Sequence, residues 1–439
     1  MNAAGFNSPA GSNEIHGPGE KPKREECLMS LKVLTNAVLI DGTGAEPMGD
    51  ASVVIEDNRI KEVFIGKPGA LPASAEVFDC RGRTLLPGLI DAHVHIGAVD
   101  ARIADQHRRF FTSEIVALSL RILAEDLQQG FTTLRDAGGA DPGFREIVRQ
   151  GLFPGPRLFV SGQSLSQSGG HGDIRLPAER HEPEMNLVGM AKIVADGVDE
   201  VRRQARNQLR QGIDQLKVHA GGGCMSPADE IESTQYSLEE LRAAVWEAEA
   251  HGKYVMAHTY STRSILNCLE AGIRTIEHGN LLDEVGAAAI KKAGAYLVPT
   301  LATYEALSRQ GKDLGVPENS LRKINEAREK GLEALAIAHR LGVKIGSGSD
   351  LLGPMQKLKG LELELKAKVM GPMGAIVAVT KVNSEIIRRE HDLGTIAAGK
   401  LADLILVDGD PLTDIAIFQD YQRRITLIIQ DGIVCKNTM

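Results

Sequence analysis

From residue 88 to residue 347 the chain repeats one pattern eight times, a short apolar run followed by a stretch long enough to return as a helix. The runs are Gly88 to His93, Thr132 to Asp136, Arg157 to Ser161, Gln215 to His219, Tyr254 to His258, Arg274 to His278, Tyr296 to Thr300 and Val343 to Ser347. Among the intervening stretches, Ser237 to His251 repeats Leu241, Ala244, Val245 and Ala248 at helical spacing, and Lys323 to Leu341 is helical in the same way. Strands that alternate with helices run parallel, because each crossover returns the chain to the end it started from. Eight such units predict an α/β fold, a (β/α)8 TIM-type barrel.

The two ends of the chain differ from this middle. Leu31 to Ile40 reads as β, Ala51 to Val63 as two short strands about a polar turn, and Ala402 to Asp408 and Ile425 to Val434 as further β runs. The predicted organisation is a small β-sandwich contributed by both termini, residues 30–87 plus 388–439, around a barrel domain of residues 88–387. Residues 1–29 mix Gly, Pro, Asn, Glu and Lys without an apolar signal core and read as a disordered leader.

Composition narrows the partners. A net charge of −8 argues against nucleic acid or an anionic membrane surface, and no run is long enough to span a bilayer. The five cysteines, Cys27, Cys80, Cys224, Cys268 and Cys435, are scattered without a CxxC pair, as expected for reduced thiols in a cytoplasmic protein.

In a barrel, residues at the C-terminal strand ends share one face and converge. His93 and His95 close the first run, and side chains two apart on a strand project to the same side, which is a chelating geometry. Taken alone, an HxH pair is more often a polar strand end. Here Lys217 lies near the end of the fourth run, His258 and His278 end the fifth and sixth, and Asp350 follows the eighth. His219 shares the parity of Lys217 and reads as a supporting residue. Ala220 to Pro227 reads as a flexible loop over the mouth, and its Cys224 has no neighbouring base that would make it a nucleophile.

At these residues the chain resembles the amidohydrolase superfamily, in the subtype with two metals bridged by a carboxylated lysine. The matching segments are Ile90-Asp91-Ala92-His93-Val94-His95, Leu216-Lys217-Val218-His219, Met256-Ala257-His258-Thr259-Tyr260, Ile276-Glu277-His278-Gly279 and Gly348-Ser349-Asp350, with Leu393 to Leu404 as the sandwich signature. The resemblance implies that His93, His95 and Asp350 hold one divalent metal, that His258 and His278 hold the other, and that Lys217, as N6-carboxylysine, bridges them. Zinc is the expected metal, although imidazole and carboxylate also suit manganese or cobalt. It further implies attack by a hydroxide bridging the metals, with Asp350 passing a proton to the leaving amine.

Within the superfamily the chain looks like the imidazolonepropionase-related dipeptidase and prolidase branch. There a histidine after the third strand and a tyrosine after the fifth meet the substrate carbonyl or terminal carboxylate, which points to His171 and Tyr260 as catalytic and substrate-binding residues. The implied activity is hydrolysis of the amide bond of a dipeptide or N-acyl amino acid, by a homo-oligomer that in this branch is commonly an octamer. The alternatives are hydrolysis of an amide-containing xenobiotic such as ochratoxin, a mononuclear cyclic-amide hydrolase or deaminase, against which Lys217 counts, and a non-catalytic assembly protein, against which the full ligand set counts.

Overall fold

The computed structural model describes residues 30–181, 188–190 and 192–439; the leader expected over residues 1–29 lies outside them. Strand residues from both ends of the chain join one eight-stranded sheet. Its order is Ile433–Asn437, Ile425–Gln430, Leu404–Val407, Thr84–Pro87, Leu31–Leu39, Met48–Glu56 and Arg59–Ile65, with Glu76–Asp79 pairing beside Leu31–Leu39. Strand alternation gives this sheet two apolar faces. Leu85, Leu404, Leu406 and Leu427 pack with Leu34, Val53 and Phe78 on one face. Leu86, Ile405, Ile425 and Ile428 pack against Leu123, Leu127 and Phe131 of the middle segment on the other.

Leu86 to His95 looks like one continuous apolar run, yet it divides between two sheets. Thr84–Pro87 belongs to the terminal sheet, and Leu89–Val94 begins the middle segment. Gly88 lies at the transfer, where a Cβ would stand 2.2 Å from Thr132 Oγ1, so a larger residue would require the Thr132 side chain or its backbone to shift.

The middle segment holds two sheets whose pairs are all parallel. One orders Leu89–Val94, Phe131–Asp136 and Arg157–Phe159. The other orders Lys192–Val194, Ser164–Ser166, Leu216–His219, Val255–Ser261, Thr275–Leu281, Tyr296–Val298 and Lys344–Ile345. Backbone bonds join them at two places, Ala92 N to Ser347 O at 2.9 Å, and Asp214 N, just before Leu216–His219, to Val160 O, just after Arg157–Phe159, at 2.8 Å. The eight predicted runs thus supply strands in the predicted order, within two residues or so at most ends. The short strands Ser164–Ser166 and Lys192–Val194 were not anticipated, being three residues each with no extended apolar pattern. The helices include Leu238–Ala250, opened by a reciprocal cap between Ser237 and Glu240, and Glu318–Arg340. Among the described residues, no helix is long and apolar enough to cross a membrane.

Candidate active site

The ends of the parallel strands bring His95, Lys217, His258, His278 and Asp350 to the wall of one cavity. His93 is fully buried directly against it, its Nε2 3.7 Å from Asp350 Oδ1, while His95 Nε2 lies 3.4 Å from the same oxygen. Asp350 reaches this position through a left-handed backbone, φ 51°, with its N–H donating to the His93 carbonyl at 2.9 Å. Asp91 ties the two strand ends together. Its Oδ1 accepts from the backbone N–H of His93 and of Ser349, and its Oδ2 accepts from Ser349 Oγ and from the buried Lys359 Nζ at 2.9 Å.

Every imidazole in the group has one nitrogen tied to a partner outside the cluster. His93 Nδ1 faces Glu277 Oε2 at 2.7 Å, His95 Nδ1 donates to the Gly138 carbonyl at 2.8 Å, and His258 Nε2 donates to the Gly222 carbonyl at 2.9 Å. His278 Nδ1 pairs with Thr300 Oγ1 at 2.8 Å. Burial, reinforced by neighbouring cations and imidazoles, holds His93, His258 and His278 well below the ordinary histidine value and His95 down at about 3. All four are therefore neutral, the form that ligates metal. Burial also lowers the Lys217 amine to about 8 and pushes the Asp350 carboxyl up to about 7.

The donor atoms fall into two tight groups, with members within 4.8 Å of one another: His93, His278 and Asp350 in one, and His171, His219 and His258 in the other. The grouping differs from the expected division, which set His258 with His278 and gave His171 and His219 no place among the donors. His171 arrives from the chain after Ser164–Ser166 and stacks on His258 with ring centroids 4.2 Å apart, while His219 stands 5.0 Å from His171. A ring of contacts orients His171: its backbone N–H donates to Gln235 Oε1, Gln235 Nε2 donates to Asp229, Ser226 Oγ donates to Asp229, and His171 Nδ1 pairs with Ser226 Oγ at 3.0 Å.

Residues 220–227 are not a flexible loop. They are largely buried, and the ammonium of buried Lys323 clamps the segment by donating to the carbonyls of Gly223, Ser226 and Asp229 at 2.8 to 2.9 Å. Gly223 is required where this backbone crosses His171, since a Cβ would come within 1.9 Å of Nδ1. Burial raises the Cys224 thiol to about 12, in keeping with an unreactive side chain. Tyr260 lines the cavity with its hydroxyl 2.8 Å from that of Tyr304 and 3.5 Å from Cys224 Sγ, and burial keeps it a neutral phenol.

Several contributors escaped sequence reasoning. Glu277 and Arg135 form a fully buried pair behind His93, with Arg135 Nη2 2.9 Å from both carboxylate oxygens and Thr275 Oγ1 donating at 2.6 Å. The available signal was a charged residue, Arg135 or Glu277, inside each buried strand. Tyr304, Lys192 and Lys323 left no comparable trace.

The residues fit a metal centre. His93 Nε2, His219 Nδ1 and His278 Nε2 are buried without a hydrogen-bond partner, and an orphaned buried polar atom costs about 1–3 kcal/mol unless something such as a cation satisfies it. Neutral imidazoles beside an acidic carboxyl and an easily deprotonated amine form a donor set suited to divalent transition metals.

A family model, the Amidohydrolase family, matches residues 84–434, and the chain belongs to that family. It is a hydrolase. Among its relatives, the ochratoxinase of Aspergillus niger is 32% identical over 406 residues, covering 89% of this chain and 84% of that protein. A prolidase structure complexed with N-methylphosphonate-L-proline is 42% identical with a TM-score of 0.90, covering 93% of this chain and 100% of the other. A Xaa-Pro dipeptidase structure with bound methionine is 27% identical with a TM-score of 0.84 over 93% of this chain and 100% of that one.

Proposed function

We propose that this chain hydrolyses the amide bond of a dipeptide or N-acyl amino acid in a binuclear metal site at the mouth of a (β/α)8 barrel. The backbone bonds Ala92 to Ser347 and Asp214 to Val160 between the two parallel sheets support their closure into one barrel of about residues 88–387. The terminal sheet is then the smaller domain, residues 30–87 with 388–439. The observation that carries the functional reading is the convergence of His93, His95, Lys217, His258, His278 and Asp350 in a chain so similar to a prolidase.

His93, His95 and Asp350 would hold one ion, His258 and His278 the other, with Lys217 bridging as a carbamate. A bound divalent pair lowers the pKa of a shared water and polarises the scissile carbonyl. Lys217 is suited to carboxylation because burial lowers its amine to about 8, which enlarges the neutral fraction able to capture carbon dioxide. Asp350, with Oδ1 3.4 Å from His95 Nε2, is placed to accept the proton of the attacking water and return it to the leaving nitrogen. Glu277 fixes the tautomer of His93, and Gly138 that of His95, so the open nitrogens need no reorganisation. Tyr260 and His171 would meet the substrate carbonyl or its terminal carboxylate.

The test is a library of Xaa-Pro and other dipeptides and N-acyl amino acids, assayed with zinc-, manganese- or cobalt-loaded protein of measured metal content. The expected result is about two metals per chain and turnover of at least one subset. A reproducible single metal, with deamination or ring opening in place of peptide cleavage, would refute the reading. The similarity to ochratoxinase supports a second substrate class, so ochratoxin A belongs in the same panel.

A further inference from the structure

A second cavity, of ≈ 530 Å³, opens between the helix Thr112–Gln128, the turn Gly353–Leu358 and the short helix Tyr421–Arg424. It shares no described lining residue with the cavity of the active site, and its size is that of a small-molecule site, about 300–1,000 Å³. Asp126 lines it and is 1% exposed. Its Oδ1 accepts from Gln129 Nε2 at 3.4 Å and faces Lys359 Nζ at 3.5 Å, whereas Oδ2 is buried with no hydrogen-bond partner among the described residues. Lys359 does not balance this carboxylate, because its ammonium lies closer to Asp91, at 2.9 Å. Two buried carboxylates face one buried cation, and an acceptor left so is costly unless a further cation or donor reaches it.

The surroundings favour an ammonium over a metal ion. Among the described residues, the sets of three acidic, imidazole or thiol donors within 4.8 Å of one another are those of the active site, and a calcium ion takes about six to eight oxygens. An ammonium has three protons to place. Asp126 Oδ2 is one acceptor for them. Glu125, which already accepts from the Tyr421 hydroxyl, brings a second carboxylate to the wall. Gln356, whose Nε2 donates to the carbonyls of Ala98 at 2.9 Å and His95 at 3.3 Å, has its Oε1 left to accept. Half-buried Val99, Leu118 and Ile122 form an apolar stretch of the lining, and the exposed side chains of Arg121 and Lys357 put positive charge at the solvent side. A ligand that matches all of this carries an ammonium, an apolar side chain and a carboxylate.

We propose that this cavity is a second ligand site, for a free α-amino acid with an apolar side chain, its ammonium donating to Asp126 Oδ2 and its carboxylate facing Arg121 and Lys357. The site is independent of peptide cleavage, since none of its groups takes part in the chemistry at the strand ends. Burial, with Asp91 and Glu125 nearby and Lys359 opposing, pushes the Asp126 carboxyl up to about 7, and an ammonium at Oδ2 favours its ionised form. A charge-assisted bond of that kind is stronger than its neutral counterpart.

The test is calorimetric titration of L-leucine, L-methionine and L-valine, with L-leucinamide and N-acetyl-L-leucine as analogues, into the metal-loaded full chain. Wild type is compared with Asp126→Asn and Ile122→Trp, and metal content, circular dichroism and thermal melts show that each variant is intact. Asp126→Asn keeps the shape of the carboxylate but not its charge, and should weaken leucine binding about 10- to 100-fold. Ile122→Trp fills the apolar stretch while leaving Asp126 and its partners in place, and should abolish saturable binding. With wild type, N-acetyl-L-leucine should bind at least about tenfold weaker than leucine, having lost the ammonium, and L-leucinamide about two- to fivefold weaker, since an exposed ion pair contributes little.

Leucine binding unchanged in a folded variant of either kind would place the amino acid elsewhere, in the metal cavity for example, and overturn the proposal. So would N-acetyl-L-leucine bound as tightly as leucine, which removes the ammonium from recognition, or L-leucinamide bound as tightly, which reduces the ligand to a simple amine. No saturable binding of any of the three amino acids to wild type would refute the site outright. Because the quantity read is binding, these outcomes leave the hydrolase reading untouched, and a failure of peptide turnover leaves this site untouched.

Discussion

Glu277→Gln is the sharpest probe of how the site is held together. In the native protein the Glu277 carboxylate serves three buried donors, Arg135 Nη2 at 2.9 Å, Thr275 Oγ1 at 2.6 Å and His93 Nδ1 at 2.7 Å. Burial disfavours the Arg135 cation, and Glu277 together with Tyr254 more than offsets it, leaving the guanidinium above its ordinary value. The amide has the same shape but one acceptor oxygen and no charge. It must turn its NH2 toward Arg135 or His93, and either choice sets donor against donor.

Breaking a buried ion pair by removing one partner costs about 3–5 kcal/mol, because the surviving charge has lost its counter-ion. At roughly 2 °C per kcal/mol for a chain at the large end of the usual range, the metal-free protein should melt about 5–10 °C lower. Freed from its carboxylate, His93 should also cost the site about 10- to 100-fold in metal affinity, read by competition with a chelating dye. Adding Arg135→Met removes the stranded charge, so the double variant should recover most of the melting temperature but not the metal affinity. A Glu277→Gln protein that melts within 2 °C or so of wild type and binds metal equally well would refute the account of this network.

Asp350→Asn should preserve the fold and reduce kcat by about 10²–10⁴ or more, since it removes the proton carrier and an anionic donor together; steady-state kinetics at matched metal content are the check. Lys217→Ala should lose metal and activity, and added propionate should restore part of both, measured by metal analysis and turnover; no restoration at any propionate concentration would count against the bridging carbamate. The fourth prediction concerns Asp126, whose carboxyl burial pushes from 3.8 to about 7. Between those values the folded chain holds a proton that the unfolded chain has released, so folding stability falls as pH rises through that window, by at most about 1.4 kcal/mol per pH unit. Asp126→Asn should flatten that fall relative to wild type in denaturant melts from pH 4 to pH 8, and an identical slope would show that Asp126 does not carry it.

What the sequence determined alone was the set of features written in local spacing. Alternating apolar and helical stretches dictate parallel strand order, because backbone hydrogen bonding and side-chain burial respond to period. The parity of His93 with His95 and the recurrence of His258, His278 and Asp350 at run ends mark the chemistry without any knowledge of packing. Tertiary structure alone decided which distant segments meet. An apparently unbroken strand passes between sheets at Gly88, where the Thr132 side chain lies close, and Lys323 holds a glycine-rich segment that looks mobile because a helix about 100 residues away delivers an ammonium to its carbonyls. The stacking of His171 on His258, the Glu277 to Arg135 pair and the entry of Lys192 into the cavity are of the same kind. Each joins residues far apart along the chain, where neither partner's neighbours carry a periodic signal, and the pairing exists only once the core has brought the strands and helices to their final distances.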